Sequence, residues 1–273
     1  MRILLLNDTS KYHSGCKQVI ENLKSQMQPH TVVVSIPVTV PYIQYNDWDS
    51  IDAVVVNGEG TMHNNRQGAV SLLNFVNLAQ QQNKPTVLLN SIWQNMDTSW
   101  KSVTDKLQQW SVRDAYSQQH AQHEFGRTPD LYPDISYINC PDVSTVETQH
   151  TITLGQHAFD SIQDHSKHTQ RINIFKQSWH DVVNQLRNSN ICVTGRFHEV
   201  MACIRAETPF VAVEGNSWKM QALIASAGAD IPVLKDFPIN LQDVEHFSRT
   251  YHLEYAKVFK WHKQTISKFS LTL

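Results

Sequence analysis

Between residues 191 and 203 a short apolar run, Ile191-Cys192-Val193-Thr194, gives way to Gly195, Arg196, Phe197 and His198 and then to a helix-like pattern. That order puts a permanent cation and a titratable ring at a strand-to-helix corner, where an open α/β sheet offers its strand ends and a helix N-terminus to a ligand. Arg196 and His198 stand two residues apart, so in an extended chain their side chains share a face. Together they suit an anionic ligand. The alternative for the same residues is structural, with Arg196 in an ion pair and His198 capping a helix.

Three more corners carry chemical groups. In Asn57-Gly58-Glu59-Gly60-Thr61-Met62-His63 the two glycines permit a tight turn and close backbone approach, and Glu59 can serve as a general base. The same residues also describe a plain turn with an exposed carboxylate. Arg113 leaves a short strand just before Asp114, which is placed to cap the next helix. Arg113 can bind a carboxylate or phosphate, or it can be salt-bridged to Asp114 or Asp134. Glu214, Asn216 and Lys219 follow the apolar run 210–213, and Lys219 in a first helical turn works against the helix dipole, as a ligand-binding lysine would. Exposed lysines occupy such places too.

Other chemistries are not written here. The glycines of a dinucleotide fingerprint and of a phosphate-binding P-loop are missing. Cys16, Cys140, Cys192 and Cys203 form no C-x-x-C pair, and the histidines between His150 and His180 lie among solvated polar residues. Neither a metal nor a resident cofactor is expected.

The elements that must position these corners alternate. Residues 3–7, 31–38, 51–57, 86–90 and 110–114 read as strands and 69–82 and 100–107 as helices, with helical spacing also in Val19, Ile20, Leu23 and Met27. Residues 51–57 are apolar on both faces, as a parallel sheet covered by helices demands. In the second half, 151–154, 191–194, 210–213 and 231–234 read as strands, and 172–186, 199–206, 219–227 and 241–269 as helices. No internal repeat is visible. The fold class expected is α/β, with two Rossmann-like domains built on mostly parallel sheets.

The chain has 273 residues, formal net charge -2 and pI near 6.7. Length suits two domains, and the proline-bearing stretch 129–149 is the natural connection, giving domains 1–140 and 141–273 with the C-terminal helix able to cross back onto the first. The charge offers no field for nucleic acid. No apolar run is long enough for a membrane span or a signal peptide, so a cytoplasmic protein is expected.

The Gly-Glu-Gly-Thr corner, the Val-Arg-Asp corner, Pro133-Asp134-Ile135-Ser136, Gly195-Arg196-Phe197-His198 and the segment 209–219 follow one another in an order that resembles the polysaccharide pyruvyl transferase family over about residues 51–225. The resemblance implies two Rossmann-like domains facing across a cleft, as in GT-B glycosyltransferases. It implies transfer of a pyruvyl group from phosphoenolpyruvate to a sugar, leaving a ketal on a surface polysaccharide. By resemblance Arg196 and His198 belong to the donor site, with Arg113 as a second donor cation, and Lys219, Asn216 and Glu214 join them on the C-terminal, donor side. Gly58, Gly60, Thr61 and His63 line the acceptor side. His198 and Glu59 suit the proton transfers. The rival reading is a GT-B glycosyltransferase with Glu59 as base and a nucleotide-sugar donor; a non-catalytic glycan-binding or partner protein is the third. The expected partner is a glycan or lipid-linked oligosaccharide acceptor at the inner face of the membrane. Lys257, Lys260, Lys263 and Lys268 fit a weak basic face toward that membrane or a solvated helix surface.

Overall fold

The computed structural model describes residues 1–37, 45–138, 151–162, 169–237 and 241–273. It divides into two compact units, one of residues 1–11, 19–135 and 268–273 and the other of residues 12–18 and 136–267.

The first unit runs β1 (Arg2–Leu6), α1 (Ser14–Gln26), β2 (Thr31–Ile36), β3 (Ala53–Glu59), α2 (Gln67–Gln81), β4 (Thr86–Ser91), α3 (Lys101–Thr104), β5 (Gln109–Val112), α4 (Ala115–Phe125) and β6 (Asp130–Leu131), with the first turn of α1 grouped with the second unit. Its six strands lie in the order β2-β1-β3-β4-β5-β6, and every pairing is parallel. All seven residues of β3 are buried, which is why residues 53–56 are apolar on both faces. Trp93, Trp110 and Phe125 close one end of the core edge to face, with Trp93 4.8 Å and 5.2 Å from the other two rings. The chain terminus is pinned here, since Gln109 donates from Nε2 to the Ser270 carbonyl at 2.8 Å and accepts from the Thr272 amide at 3.0 Å.

The second unit contains β7 (Ile152–Leu154), α5 (Gln156–Ser161), β8 (Thr169–Arg171), α6 (Trp179–Arg187), β9 (Ile191–Thr194), α7 (Phe197–Ala206), β10 (Phe210–Val213), α8 (Lys219–Ser226), β11 (Val233–Leu234), α9 (Leu241–Thr250) and α10 (His252–Ile266). Its parallel sheet has the order β11-β10-β9-β7-β8. Counted from its own first strand, that is the winding of the first five strands of the first unit. The α/β class with two parallel, Rossmann-like sheets is therefore present, and its topology repeats where the residues do not. In each sheet the strand order reverses once, between β1 and β3 and between β7 and β9, and the carboxyl ends at that reversal are where such sheets bind ligands.

Several elements differ from the sequence pattern. The helix expected over 172–186 begins only at Trp179, because Ser178 caps it by accepting the Asp181 amide at 3.1 Å. Ahead of it, the Gln177 side chain accepts the Asn173 amide at 2.6 Å and the Asn173 side chain accepts the Phe175 amide at 3.0 Å, closing a turn. The stretch 241–269 is two helices that break at Tyr251, and 231–234 supplies a strand of only two residues. Short α5 and β8 carry too few residues to show a period. Of the connection expected over 129–149, residues 130–131 form β6 and 135–137 a 3-10 turn, while 139–149, with Cys140, lie outside the described residues. No helix among the described residues is long and apolar enough to cross a membrane.

After β1 the chain is held by Asp8, whose amide donates to the Ile36 carbonyl at 2.9 Å. Its carboxylate accepts from the Ser10 amide at 2.9 Å and from the Ser35 hydroxyl, and pairs with Lys24 at 3.3 Å. Burial pushes this carboxyl up, but the hydrogen bonds and Lys24 outweigh it and hold the group at about 2. A folded-state value below the unfolded one adds stability above the unfolded value, and that stability is lost as pH falls through about 2. Asp8→Asn is therefore expected to lower the urea midpoint at neutral pH, with the gap to wild type closing between roughly pH 4 and pH 2.

Candidate functional site

In the second unit, the reversal point places the end of β9 beside the end of β7. The Thr194 hydroxyl donates to the Glu199 carboxyl and accepts the Arg196 amide at 2.9 Å. Arg196 is the N-cap position of α7 and Phe197 is already helical. The shared strand face expected for Arg196 and His198 is thus absent, because the helix turns the chain between them. Both side chains nevertheless reach one neighbourhood. Arg196 Nη2 lies 2.8 Å from His157 Nε2, and its guanidinium stacks 4.7 Å from the centre of the Phe175 ring. The His13 ring lies 5.5 Å from Phe175 and 4.9 Å from His198. Among the described residues Arg196 forms no salt bridge to a carboxylate.

Glu199, fully buried, is the group here that spacing did not reveal. Burial pushes its carboxyl up to about 7, against the Thr194 hydrogen bond, the Arg196 charge and the Gln156 amide. Gly155, at the end of β7, is required by this arrangement, since a Cβ there would overlap the Glu199 carboxylate. His157, Phe175, His13 and Cys16 were missed as well. The only signal for the last two is the His13-Ser14-Gly15-Cys16 spacing, a chelating interval that a search for C-x-x-C pairs passes over.

Glu214, Asn216 and Lys219 follow β10, the next strand of the same sheet. Glu214 accepts from Gln221 at 3.1 Å, and Lys219 donates to Asn216 at 3.2 Å from the first turn of α8.

In the first unit, the reversal between β1 and β3 is built from asparagines. Asn7 Nδ2 donates to the Asn57 carbonyl at 2.5 Å and to Thr61 at 3.3 Å, and Asn90 Nδ2 reaches Asn57 at 3.4 Å. Glu59 sits in this ring with its Oε1 accepting from Thr9 at 2.7 Å and Asn57 at 3.1 Å. It is buried rather than exposed, and its φ of 40° is a left-handed conformation uncommon for a residue with a side chain. Gly58 is required by packing, since a Cβ there would overlap Ser91. Gly60 faces Arg113, whose Nη2 is 3.6 Å from where its Cβ would be. His63 is buried in the following turn and bridges Gln94. Arg113 makes the ion pair that the structural alternative names: Nη1 lies 2.6 Å from Asp134, with side chains 3% and 0% exposed. Asp114 caps α4 by accepting the Ser117 amide at 2.8 Å.

A spinosyn rhamnosyltransferase complexed with thymidine diphosphate is similar in fold, with TM-score 0.55 at 10% identity over 99% of this chain and 97% of that one. A UDP-glucosyltransferase from Polygonum tinctorium gives TM-score 0.51 at 7% identity over 98% and 95%. A Klebsiella pneumoniae protein of uncharacterised function gives 0.52 at 8% identity over 81% and 86%. The fold is thus one shared with glycosyltransferases of the two-domain GT-B class. No curated protein matches the sequence. The family model for polysaccharide pyruvyl transferase matches residues 19–217, and the chain belongs to that family, a family of transferases.

The two arginines are expected to separate on mutation. Arg113→Ala strands Asp134 as a buried charge and should cost about 3–5 kcal/mol in urea unfolding. Arg196→Ala removes a stacked, partly exposed cation and should cost no more than about 1 kcal/mol.

Proposed function

We propose that this protein moves a pyruvyl group from phosphoenolpyruvate to a pair of sugar hydroxyls, closing a ketal on a bacterial surface polysaccharide. Two C–O bonds form at C2 of the enol, the C2–O bond to phosphate breaks, and the methylene carbon gains a proton. Of the two hydroxyl protons, one ends in the new methyl group and the other leaves with phosphate. No cofactor enters this balance.

The observation that supports this reading is Arg196, a cation outside any carboxylate salt bridge among the described residues, at the strand-order reversal of the second sheet in a chain of this family. A guanidinium there can take the donor's carboxylate or phosphate by paired hydrogen bonds, with Lys219, Asn216 and Glu214 on the adjoining strand end as further donor contacts. His198 serves the methylene proton and Glu59 takes a proton from the sugar. Gly58, Gly60, Thr61 and His63 belong with Glu59 on the acceptor side. Arg113 has no donor role in this reading, because its charge is committed to Asp134. The acceptor is a glycan or lipid-linked oligosaccharide met at the inner membrane face, toward which exposed Lys257, Lys260 and Lys263 of α10 and Lys268 beyond it contribute a weak basic face.

A second reading is favoured by Glu59 itself. A carboxylate held by two donors at the reversal point of the first sheet is the base an inverting glycosyltransferase uses, and Arg196, His198 and Lys219 would then hold the phosphates of a nucleotide-sugar donor.

Melting curves with phosphoenolpyruvate, CMP, UDP and GDP separate the two, since a ligand that binds only the folded state raises the midpoint. Stabilisation by phosphoenolpyruvate alone, abolished in Arg196→Ala together with a loss of turnover by at least a hundredfold, is the expected result. A shift with one nucleotide alone establishes the glycosyltransferase instead. No shift with any of them, with Arg196→Ala unchanged, turns both readings aside in favour of a glycan-binding or partner protein.

A further inference from the structure

Three side chains with metal-binding atoms meet in the second unit, two of them at the His13-Ser14-Gly15-Cys16 interval and the third far along the chain. His13, Cys16 and His198 each offer one such atom, and the three lie within 4.8 Å of one another. Cys16 Sγ is 3.5 Å from His13 Nε2, close to the separation of about 3.6 Å that a tetrahedral ion imposes on a sulfur at 2.3 Å and a nitrogen at 2.1 Å.

The cluster is built rather than incidental. The His13 carbonyl accepts the Lys17 amide at 2.9 Å, which starts α1, and its Nδ1 accepts the Cys16 amide at 3.2 Å, so His13 and Cys16 are locked three residues apart on the first helical turn. The Ser14 amide ties that turn to the Ile174 carbonyl at 2.9 Å. His198 can approach only because residue 15 is glycine, since a Cβ there would lie 2.6 Å from His198 Cβ. Cys16 is 3% and His198 7% exposed, while Phe175 packs edge-on against the His13 ring. The sulfur also sits in the first turn of a 13-residue helix, where the helix dipole favours the negative charge a metal thiolate carries.

We infer that His13, Cys16 and His198 form a binding site for a zinc-like divalent cation. One thiolate and two imidazoles match the borderline-soft character of zinc, and three protein ligands leave a fourth position open, as in zinc sites that act on a water or substrate. Loading exchanges the Nε2 contact of His13 with sulfur for an Nε2–metal bond, moves the ring proton to Nδ1 at the cost of the Cys16 amide bond, and releases the thiol proton. The inference stands apart from the transfer reaction proposed above. A bound ion would take the His198 nitrogen to which the transfer reading assigns the methylene proton, so the two readings are tested separately.

Cobalt reports such a site by colour. The tag-free 273-residue chain, stripped with a chelator and kept reduced, is titrated with Co2+ and then with Zn2+. The expected result is saturation at one ion per chain, with tetrahedral d–d bands and a sulfur-to-cobalt charge-transfer band that Zn2+ displaces. Cys16→Ser should lose the charge-transfer band, and His13→Gln and His198→Gln should each weaken binding more than tenfold. Metal-free circular dichroism confirms that each variant is folded. If His198→Gln fails to fold, Cys16→Ser and His13→Gln carry the test, together with a zinc-induced rise in melting temperature present in wild type and lost in both. Absence of a saturating band, or bands that survive Cys16→Ser, overturns the site. Because phosphoenolpyruvate binding is read separately by melting with that ligand, failure here leaves the transfer proposal standing, and failure there leaves the metal site standing.

Discussion

The Thr194 hydroxyl is the point on which the second unit's corner depends. It donates to Glu199 one turn into α7 and accepts the amide of Arg196, so a single oxygen fixes the step from β9 to the helix. Everything the corner presents follows from that step: Arg196 leaves at the cap, Phe197 enters the core, and His198 turns toward the start of α1. A carboxyl this deeply buried is costly when charged, and burial pushes it up to about 7 against the Thr194 hydrogen bond and the Arg196 charge. Gly155 on the neighbouring strand leaves room for it.

The first unit meets the same topological need with different groups. Asn7 and Asn90 both take left-handed backbone conformations, which asparagine tolerates better than most residues with side chains, and their amides bridge the ends of β1, β3 and β4 through Asn57. Glu59 is held inside that network. One unit thus surrounds a carboxylate with neutral amides and a hydroxyl, while the other holds a carboxyl by a hydroxyl and the Gln156 amide, with the Arg196 charge nearby.

How much of this was legible depends on the number of residues each feature involves. Strands such as residues 53–56 and 191–193 show themselves because burial on both faces removes every polar side chain from several consecutive positions. Helix α2 shows a full amphipathic period. Residues 172–178 misread as helix because buried Ile172 and Ile174 resemble part of a period, while the turn is decided by the Asn173 and Gln177 side chains acting on nearby backbone amides. At the site, Arg196 and His198 were visible as chemistry at a corner, but the reason they converge was not. They meet around Phe175 and His13, each far away in the chain.

What the sequence determined by itself is therefore the α/β class, the alternation of strands and helices and the corners at which charge is presented, which arise from local periodicity and residue type, and the family, which its motifs carry by their order along the chain. What only the tertiary structure decided is pairing. Arg113 became the partner of Asp134, Glu59 became a buried group held by Thr9, and His13 with Cys16 met a histidine 182 positions further on in His198. Such meetings are governed by strand order and by the absence of a Cβ at Gly15 and Gly155. Neither constraint has a period or a local composition, so neither can be read along the chain.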